Sequence, residues 1–300
     1  MIRFERVTIE NALSLRPYLE TQPFRTCDYT LGAIFQWRAY FKSAFAIVHG
    51  MLVLLATYPV EGFCYTYPVG GGDMDAALDA IEHDAMLRGT PLTFCAVPEE
   101  GVPVLCRHFD GRVAYSTHRD WADYLYNAED LKSFPGKGYH GQRNHLNYFA
   151  KQNPNYRYVP VTEQTLPLAL DFLDRYAAYM PPDKAIEAEE MLRARELLFD
   201  ALTLSQHAGY IETDGTIVAL AVGEAVRDTL YVHVEKARFD YRGAYQAIVS
   251  EFAKAACGPD TLYINREDDS GEPGLRKSKQ DYRPLRLIDK YWVTVTKEEA

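Results

Sequence analysis

Cysteine is scarce in this chain, and its spacing excludes two common kinds of small-domain scaffold. Of the 300 residues only five are cysteines, an odd number, and no two of them form a C-x-x-C pair. Disulfide frameworks and structural zinc sites both rely on paired, closely spaced cysteines. We therefore expect these thiols to be small buried hydrophobic groups, and we predict neither disulfides nor a metal site.

Long hydrophobic runs are also missing. The longest run, from Phe45 to Ala56, is interrupted by His49 and Gly50, and it is shorter than the roughly 20 apolar residues that span a bilayer. The N-terminus has no apolar core of signal-peptide length. We therefore expect a soluble, cytoplasmic protein without a transmembrane segment.

Positive charge is in the minority, and several well-known site motifs are absent. The net charge of −10 argues against broad, sequence-independent nucleic-acid binding, because such binding needs a basic surface. No G-x-G-x-x-G follows a first strand, and the chain has no Walker A motif, G-x-S-x-G elbow or H-E-x-x-H pair. The pattern therefore does not fit a Rossmann fold.

One order of elements is present twice. In the first half, the strand-like segments MLVLLATYPV and FCYTYPVG lead to Gly70-Gly71-Gly72, a helix-spaced segment and the strand-like PLTFCAV. In the second half, TIVALAVGEAV and TLYVHVEKA lead to Gly243, another helix-spaced segment and DTLYINR. Corresponding elements lie about 170 residues apart, which predicts a duplicated domain. Chance similarity between two α/β units is the alternative.

This order predicts an α/β (α+β) fold with two tandem domains, each a mixed, largely antiparallel sheet flanked by helices. In the linker between them, His140 to Gln152 has amphipathic helical spacing, and Pro154 ends it. The predicted boundaries are 1–130 for the N-terminal domain, 131–154 for the linker helix and 155–300 for the C-terminal domain. Two further helices are predicted, from Glu163 to Tyr179 and from Ala185 to His207.

A strand-to-helix turn in the second half has the chemistry of an anion site. Arg242 and Gly243 lie where a helix begins, and the first N–H groups of a helix have no partners within it. GNAT acyltransferases bind the pyrophosphate of coenzyme A at such a turn, with the pattern Q/R-x-x-G-x-G/A. The run from Asp240 to Tyr245 resembles that pattern at its central glycine only. An ordinary strand-to-helix turn is the alternative.

Three segments together resemble a known family. They are YLYNAEDLKSFPGKGYHGQRNHLNYF, HVEKARFDYRGAYQAIVSEFA and YINREDDSGEPGLRKSKQDYRP, and they look like the uncharacterised bacterial proteins grouped with the C-terminal domain of phosphatidylglycerol lysyltransferases. The resemblance implies two tandem GNAT-like domains related to the peptidoglycan-bridge aminoacyltransferases. Characterised relatives move an aminoacyl group from charged tRNA to an amine or hydroxyl of a lipid or peptide.

Acyl transfer needs a base for the attacking nucleophile, a donor for the developing oxyanion and an acid for the leaving group. Glu235 and Glu267, each near the end of a predicted strand, are the candidate bases, and Tyr282 is the candidate acid. The alternatives are ion-paired or solvated carboxylates and a core aromatic ring. The residues predicted to bind the phosphates of CoA or of a tRNA 3′ end are the turn residues Arg242, Gly243 and Ala244, together with Arg276 and Lys279. The alternative for Arg276 and Lys279 is an exposed basic face.

Polar residues also crowd the predicted linker helix and the predicted strand ends. His140 and His145 are five residues apart, a poor spacing for a shared metal on one helix face. The alternative for the linker helix is that its polar side chains only cap and hydrogen-bond. The residues that we predict to contact a substrate are His140, Arg143, Asn144, Asn147, His233, Asn265 and Arg266.

The leading hypothesis is a soluble acyl- or aminoacyltransferase with its active site in the C-terminal domain. The donor substrate is acyl-CoA or aminoacyl-tRNA, the latter contacted at its 3′ end, and no cofactor is tightly bound. The acceptor is the amine or hydroxyl of a small molecule or lipid headgroup. The alternative is a non-catalytic ligand-binding or interaction module that keeps the GNAT fold. We expect the N-terminal copy to be structural, because its Gly70-Gly71-Gly72 turn has no basic residue.

Overall fold

The chain forms two compact units in the computed structural model, which describes residues 1–58, 62–178 and 185–296. The first unit contains Met1–Asp123, Asp268–Glu272 and the segment from Ile288 onward, and the second contains Tyr124–Glu267 and Pro273–Leu287. These limits differ from the predicted boundaries. The predicted linker helix lies wholly in the second unit, and the C-terminal strand lies in the first, because each sheet is completed by a strand from a distant part of the sequence.

The first unit is built on a mixed sheet. Its strands are β1 (Glu5–Arg6), β2 (Ala44–Val48), β3 (Met51–Tyr58), β4 (Gly62–Thr66), β5 (Val69–Gly70), β6 (Thr93–Pro98), β7 (Val113–Thr117) and β15 (Lys290–Val295). Their order is β1-β2-β3-β4-β6-β15-β7, with β5 paired to β3. β4 and β6 run parallel, while the other pairs are antiparallel. The helices are α1 (Ile9–Ala12), α2 (Arg16–Leu19), α3 (Leu31–Trp37), α4 (Met74–Arg88) and α5 (Val102–His108).

The second unit is built on a second mixed sheet. Its strands are β8 (Asp123–Asn127), β9 (Arg157–Pro160), β10 (His207–Thr213), β11 (Thr216–Val226), β12 (Thr229–Ala237), β13 (Tyr263–Asn265) and β14 (Arg286–Ile288). Their order is β14-β8-β13-β12-β11-β10-β9. β12 and β13 run parallel. The helices are α6 (Ala128–Ser133), α7 (His140–Gln152), α8 (Leu166–Ala178), α9 (Ala185–Phe199), α10 (Ala244–Ala256) and α11 (Pro273–Asp281).

The same strand-strand-helix-strand plan recurs in both units. In the first unit, β3 pairs antiparallel with β4, α4 follows, and β6 returns parallel to β4. In the second unit, β11, β12, α10 and β13 repeat these relationships. The predicted fold class, two mixed, largely antiparallel sheets flanked by helices, is therefore confirmed.

Helix α10 provides much of the core of the second unit. Its inward residues, including Ala247, Ile248 and Phe252, are buried against β11, β12 and helices α6 and α7. α7 has the predicted limits, and its Phe149 is fully buried in the same core. Together these contacts fix the start of α10 beside the C-terminal part of α7.

Two predicted helix limits need comment. The second of the long helices ends at Phe199 and not at His207, because residues 200–205 form turns and His207 begins β10. The first begins at Leu166, later than predicted. Its predicted last residue, Tyr179, and the Pro181-Pro182 junction lie outside the described residues.

Candidate active site

The second sheet opens where its two parallel strands diverge. β12 and β13 pair over three positions, ending at Tyr231 and Asn265. Beyond this point β12 continues to Ala237, whereas β13 stops. Ligand sites in α/β sheets form where neighbouring parallel strands separate at their carboxyl ends, because backbone groups and side chains become accessible there. The ionisable residues that follow this separation define the candidate site.

A β-bulge determines how His233 is presented. In the pairing of β11 with β12, Val222 lies opposite Val234, but the next residue, Gly223, lies opposite Val232. His233 is therefore the extra residue of the bulge, a feature that re-aims side chains next to sites. A Cβ at Gly223 would lie 2.1 Å from the carbonyl oxygen of Tyr231, so only glycine permits the strands to approach this closely.

His233 is held between two carboxylates. Its Nδ1 lies 2.8 Å from Glu267 Oε1, and its Nε2 lies 3.2 Å from Glu224 Oε1. The imidazole is fully buried, Glu224 is nearly so, and 19 % of the Glu267 side chain is exposed. Burial alone would lower the pKa of His233, but the hydrogen bonds that the ring donates to both glutamates outweigh it and raise the pKa to about 9. At neutral pH the ring is an imidazolium that donates to both carboxylates.

The backbone at Glu267 is fixed as tightly as its side chain. The Glu267 N–H donates to Oδ1 of the buried Asn265 at 2.7 Å, and Glu267 has φ of +56°. This left-handed conformation is uncommon for a residue other than glycine and costs free energy that surrounding contacts must offset. Asn265 thus positions Glu267. Its Oδ1 is engaged in this hydrogen bond and is not directed at a ligand.

A second buried ion pair lies beside the first group. Arg266 Nη2 donates to Glu235 Oε1 at 2.6 Å, and only about a tenth of each side chain is exposed (10 % and 11 %). The Arg266 guanidinium also lies 4.5 Å from the centre of the Tyr282 ring. Burial lowers and Glu235 raises the pKa of Arg266, and the net effect is an increase. Glu235 can therefore act as a base only if Arg266 releases it.

Tyr282 and Arg266 each retain an unused buried donor. Tyr282 is 3 % exposed, and burial is the main reason why the pKa of its hydroxyl is raised. Within the described residues, neither Tyr282 Oη nor Arg266 Nη1 has a partner at hydrogen-bond distance and angle, but the Gln246 side chain lies close enough to the Tyr282 hydroxyl to lower its pKa. Buried donors without partners are costly and rare, and Tyr282 is at the same time a member of the buried core of this unit.

Of the predicted basic set, Lys279 and Arg242 have very different surroundings. Lys279 is buried, and its Nζ donates to the backbone oxygen of Arg266 at 2.6 Å. It supports the Arg266 loop and does not belong to an exposed basic face. Arg242 is exposed and stacks over the Tyr148 ring at 4.9 Å. Arg276 is half-buried on α11.

The glycine turn before α10 is covered on one side by α7. Gly243 has φ of +91° and is the N-cap of α10, with no side-chain cap. A Cβ at this position would lie 2.2 Å from the carbonyl oxygen of His145, so Gly243 is needed for the close approach of the two helices. The N–H of Ala244 donates to Tyr241. These contacts explain the glycine without an anion.

The two residues that depart from the CoA-binding pattern, Asp240 and Tyr245, also have partners nearby. The Asp240 carboxylate makes two hydrogen bonds with Arg238, at 3.0 and 2.6 Å, so it is neutralised by its own neighbour. The Tyr245 hydroxyl lies 3.2 Å from that of Tyr176. Neither contact points to a pyrophosphate.

The predicted substrate residues of α7 serve mainly the helix itself. Arg143 Nη1 donates to the backbone oxygens of Phe134 and Gly136 and so fixes the preceding loop. Asn144 and His140 lie 3.0 Å apart through Nδ2 and Nε2, one turn from each other. Asn147 is exposed. The contacts of Arg143, Asn144 and His140 therefore fit the alternative in which the polar side chains of this helix only cap and hydrogen-bond.

Glu224 is the residue of the site that sequence reasoning missed. It is 4 % exposed near the C-terminal end of β11, where it lies opposite Tyr231. A signal was available, because Glu224 is the single charged residue of the strand TIVALAVGEAV. A buried charge on such a strand needs a partner, and the nearby His233 is the residue that supplies it.

Comparisons with known proteins place the chain in a transferase-like class. Residues 20–294 match the family model described as phosphatidylglycerol lysyltransferase, C-terminal, and the chain belongs to that family. The resemblance noted in the sequence is thereby confirmed.

Solved structures agree with this assignment. A conserved protein of unknown function from Bacteroides thetaiotaomicron is 30 % identical, with a TM-score of 0.89 over 99 % of this chain and 100 % of the other. The C-terminal domain of a putative lysylphosphatidylglycerol synthetase from Agrobacterium fabrum is 14 % identical, with a TM-score of 0.64 over 96 % and 92 %. The second likeness concerns the fold alone.

A curated relative covers a smaller part of the chain. An uncharacterised protein of Mycoplasmoides gallisepticum is 24 % identical over 183 residues, which make up 59 % of this chain. The match spans 58 % of the relative's own length. Across the described residues, no helix combines the length and apolar character needed to cross a membrane.

Proposed function

We propose that the second unit transfers an aminoacyl or acyl group to an amine or hydroxyl acceptor at the diverging ends of β12 and β13. The observation that carries the proposal is the array of Glu224, His233 and Glu267, in which a buried imidazolium holds one partly exposed carboxylate at the opening between the strands. Membership of a transferase-like family supports the same reaction class.

In this proposal Glu267 is the general base. Its Oε1 is fixed by His233, while its Oε2 has no hydrogen bond to another described residue and can accept the proton of the attacking amine or hydroxyl. His233 is already protonated at neutral pH, so it orients Glu267 and does not take the proton itself. Glu235 is the weaker candidate because Arg266 neutralises it.

Arg266 and Tyr282 supply the donors that acyl transfer requires. The unused hydrogens at Arg266 Nη1 and Tyr282 Oη can stabilise the oxyanion that develops on the carbonyl oxygen and protonate the leaving oxygen. Burial raises the pKa of the Tyr282 hydroxyl, so the phenol stays protonated and available as a donor. This division of roles gives each unpartnered group a function.

The donor that we propose is an aminoacyl ester carried by tRNA. CoA binding in the predicted manner requires open N–H groups at the Gly243 turn, and one side of that turn is occupied by the His145 carbonyl. The family name also describes an aminoacyl transfer. The acceptor that we propose is an amine or hydroxyl on a small molecule or lipid headgroup.

A non-catalytic ligand-binding module is the second candidate. It is favoured by the mutual neutralisation of Glu235 and Arg266 and by the covered Gly243 turn. The two candidates differ in one respect, since only an enzyme consumes its donor.

The test is a transfer assay with radiolabelled aminoacyl-tRNA, and with acetyl-CoA in parallel, using phosphatidylglycerol vesicles and small amines as acceptors. We expect transfer from aminoacyl-tRNA, and we expect Glu267→Gln to reduce it by about 100-fold or more, the usual contribution of a general base. The matched control is Glu251→Gln on α10, whose carboxylate pairs with Lys254 at the surface. Donor binding by calorimetry without turnover would favour the non-catalytic module, and full activity of Glu267→Gln would remove Glu267 from the mechanism.

A further inference from the structure

The first unit contains a buried lysine whose amine lies beside a cysteine thiol. Lys290 is 7 % exposed, and its Nζ lies 3.3 Å from Cys27 Sγ. The same nitrogen lies 2.7 Å from Asp123, 2.9 Å from Asp28 and 3.5 Å from Asp268. Three carboxylates therefore hold the amine in place against the thiol.

Cys27 is fixed from its own side as well. Its N–H donates to Asp123 Oδ2 at 2.7 Å, and its Sγ lies 3.4 Å from Asp123 Oδ1. Cys27 is 6 % exposed, in the 3₁₀ turn Cys27–Tyr29. Both reacting atoms thus have a single rigid arrangement, which favours reaction between groups already in contact.

The other cysteines provide a contrast. Cys64 and Cys95 lie in an apolar cluster with Ala56. Cys257 is half-buried, and burial raises the pKa of its thiol to about 11, which is the behaviour of an inert thiol. Cys27 differs from these thiols in its direct contact with a lysine amine.

The cluster also resembles a cation site that the protein fills itself. Cys27, Asp28 and Asp123 could present ligand atoms within 4.8 Å of one another. The Lys290 ammonium occupies the position between them, and its distances of 2.7 and 2.9 Å to the carboxylates are those of direct charged hydrogen bonds. The place that a metal cation would take in this cluster is therefore filled by the Lys290 ammonium.

We propose that Cys27 and Lys290 form a reversible sulfur–oxygen–nitrogen cross-link when the protein is exposed to dioxygen. Lys290 first transfers a proton to Asp123. The S–H bond, one N–H bond and the O–O bond then break, and S–O and N–O bonds form. The second oxygen atom leaves as water with the two hydrogens. Sulfur and nitrogen each lose two electrons, and dioxygen gains four.

Asp123 is the nearest acceptor for that proton, because its Oδ1 lies 2.7 Å from Lys290 Nζ. It is fully buried, and burial raises its pKa while Lys290 lowers it, with a net value of about 6. Burial also lowers the pKa of Lys290, but Asp123 and Asp28 outweigh that effect, so the neutral amine is scarce and the cross-link forms slowly.

The cross-link would join two distant parts of the sequence. Cys27 and Lys290 are 263 residues apart, and Lys290 is the first residue of β15. A covalent link across so long a loop restricts the unfolded chain and stabilises the folded one. Oxidation of Cys27 and Lys290 to the cross-link would therefore increase the stability of the first unit against unfolding.

The test is peptide mass spectrometry of the full chain, kept either in air or under nitrogen with reductant, and digested without reductant. We expect the aerobic sample to contain a Cys27 peptide joined to a Lys290 peptide, with one oxygen gained and two hydrogens lost. Dithiothreitol should release both peptides unchanged. The aerobic protein should also melt several degrees higher than the reduced protein.

Variants separate this cross-link from other oxidation. Lys290→Arg keeps the charge but offers no reactive amine, and Cys27→Ser keeps the size of the side chain, so both should lose the cross-linked peptide and the shift in melting. Cys257→Ser is the matched control and should keep both. If Cys27 in the aerobic wild type is found only as a free thiol or as sulfinic or sulfonic acid, the proposal is overturned. Should Lys290→Arg fail to fold, Cys27→Ser still decides the question.

Discussion

The helices that follow the repeated strand pairs begin in different ways in the two units. In the first unit, α4 is capped by Asp73, whose Oδ1 accepts the N–H of Ala76 at 3.0 Å. In the second unit, α10 begins at Gly243 without a side-chain cap. The first helix therefore supplies its own negative charge to its N-terminus, while the second leaves that end to the backbone of α7 and to Arg242 nearby.

Two buried polar networks, one in each unit, differ in the same sense. In the first unit, Asp84 is 1 % exposed and accepts hydrogen bonds from Tyr65, Arg88 and the Ile2 N–H. In the second unit, Arg266 and Tyr282 each keep a donor without a partner among the described residues. One network is complete in itself, and the other has capacity for a ligand.

This contrast shows that the shared fold does not specify the function. Both units have a parallel strand pair that encloses a helix, yet the Glu224, His233 and Glu267 array lies at the diverging strand ends of the second unit. Function depends on which side chains the plan presents and on what they are left to bind. We accordingly continue to propose that the first unit is structural.

Among the variants that test this comparison, Gly243→Ala has the largest expected effect on the free energy of unfolding. The variant places a Cβ 2.2 Å from the His145 oxygen at a residue with φ of +91°, so α7 and α10 must separate and the backbone is strained. We expect the free energy of unfolding to fall by about 4 kcal/mol, combining overpacking with the cost of a left-handed alanine. Urea denaturation followed by fluorescence measures it.

The matched control is Gly258→Ala, where a Cβ would meet nothing within 4 Å. It should change stability by less than about 1 kcal/mol. If Gly243→Ala is as stable as Gly258→Ala, the turn is not held by α7, and the argument against an open anion site there loses its basis.

Local patterns predicted the elements of the site well. The amphipathic spacing gave α7 its observed limits, His140–Gln152, and the strand-to-helix turn at Gly243 was found because glycine and the change in periodicity adjoin each other in sequence. Both features depend on neighbouring residues, whose conformational preferences are written in the sequence itself.

The partners within the site could not be predicted in the same way. The role of His233 depends on a bulge in the register of β11 and β12, and the Glu235–Arg266 pair depends on how far two strands diverge. Lys290 and Cys27 are 263 residues apart. Such contacts follow from tertiary packing, and no local pattern encodes them.

The charged state of His233 predicts a pH dependence confined to the second unit. The pKa of His233 is about 9 in the folded chain and about 6.5 when the chain is unfolded. Its contribution to the free energy of unfolding is therefore complete below pH 6.5 and is lost as the pH rises through 9. The shift corresponds to roughly 3 kcal/mol. Unfolding free energies between pH 6 and 10, taken as wild type minus His233→Gln, should fall by about that amount.

A second histidine, His207, is the internal control for the range between pH 6.5 and 9. Burial lowers the pKa of His207, so its contribution is lost on going below pH 6.5 and has the opposite sign. His207→Gln should leave the decline between pH 6.5 and 9 unchanged. A wild-type minus His233→Gln difference that stays level or rises across that range would contradict the buried imidazolium.

Asp73→Ala has the smallest expected effect on the free energy of unfolding, and it tests the side-chain cap of α4 in the first unit. Removing the carboxylate leaves the Ala76 N–H of α4 without its acceptor and removes a favourable charge at the helix N-terminus, which costs about 1 kcal/mol. Asp73→Asn retains the acceptor oxygen and should lose only a few tenths of that amount, with both variants measured by urea denaturation. If Asp73→Ala is neutral, α4 does not depend on its own cap, and the distinction between a self-capped helix in the first unit and an uncapped one in the second carries no energetic meaning.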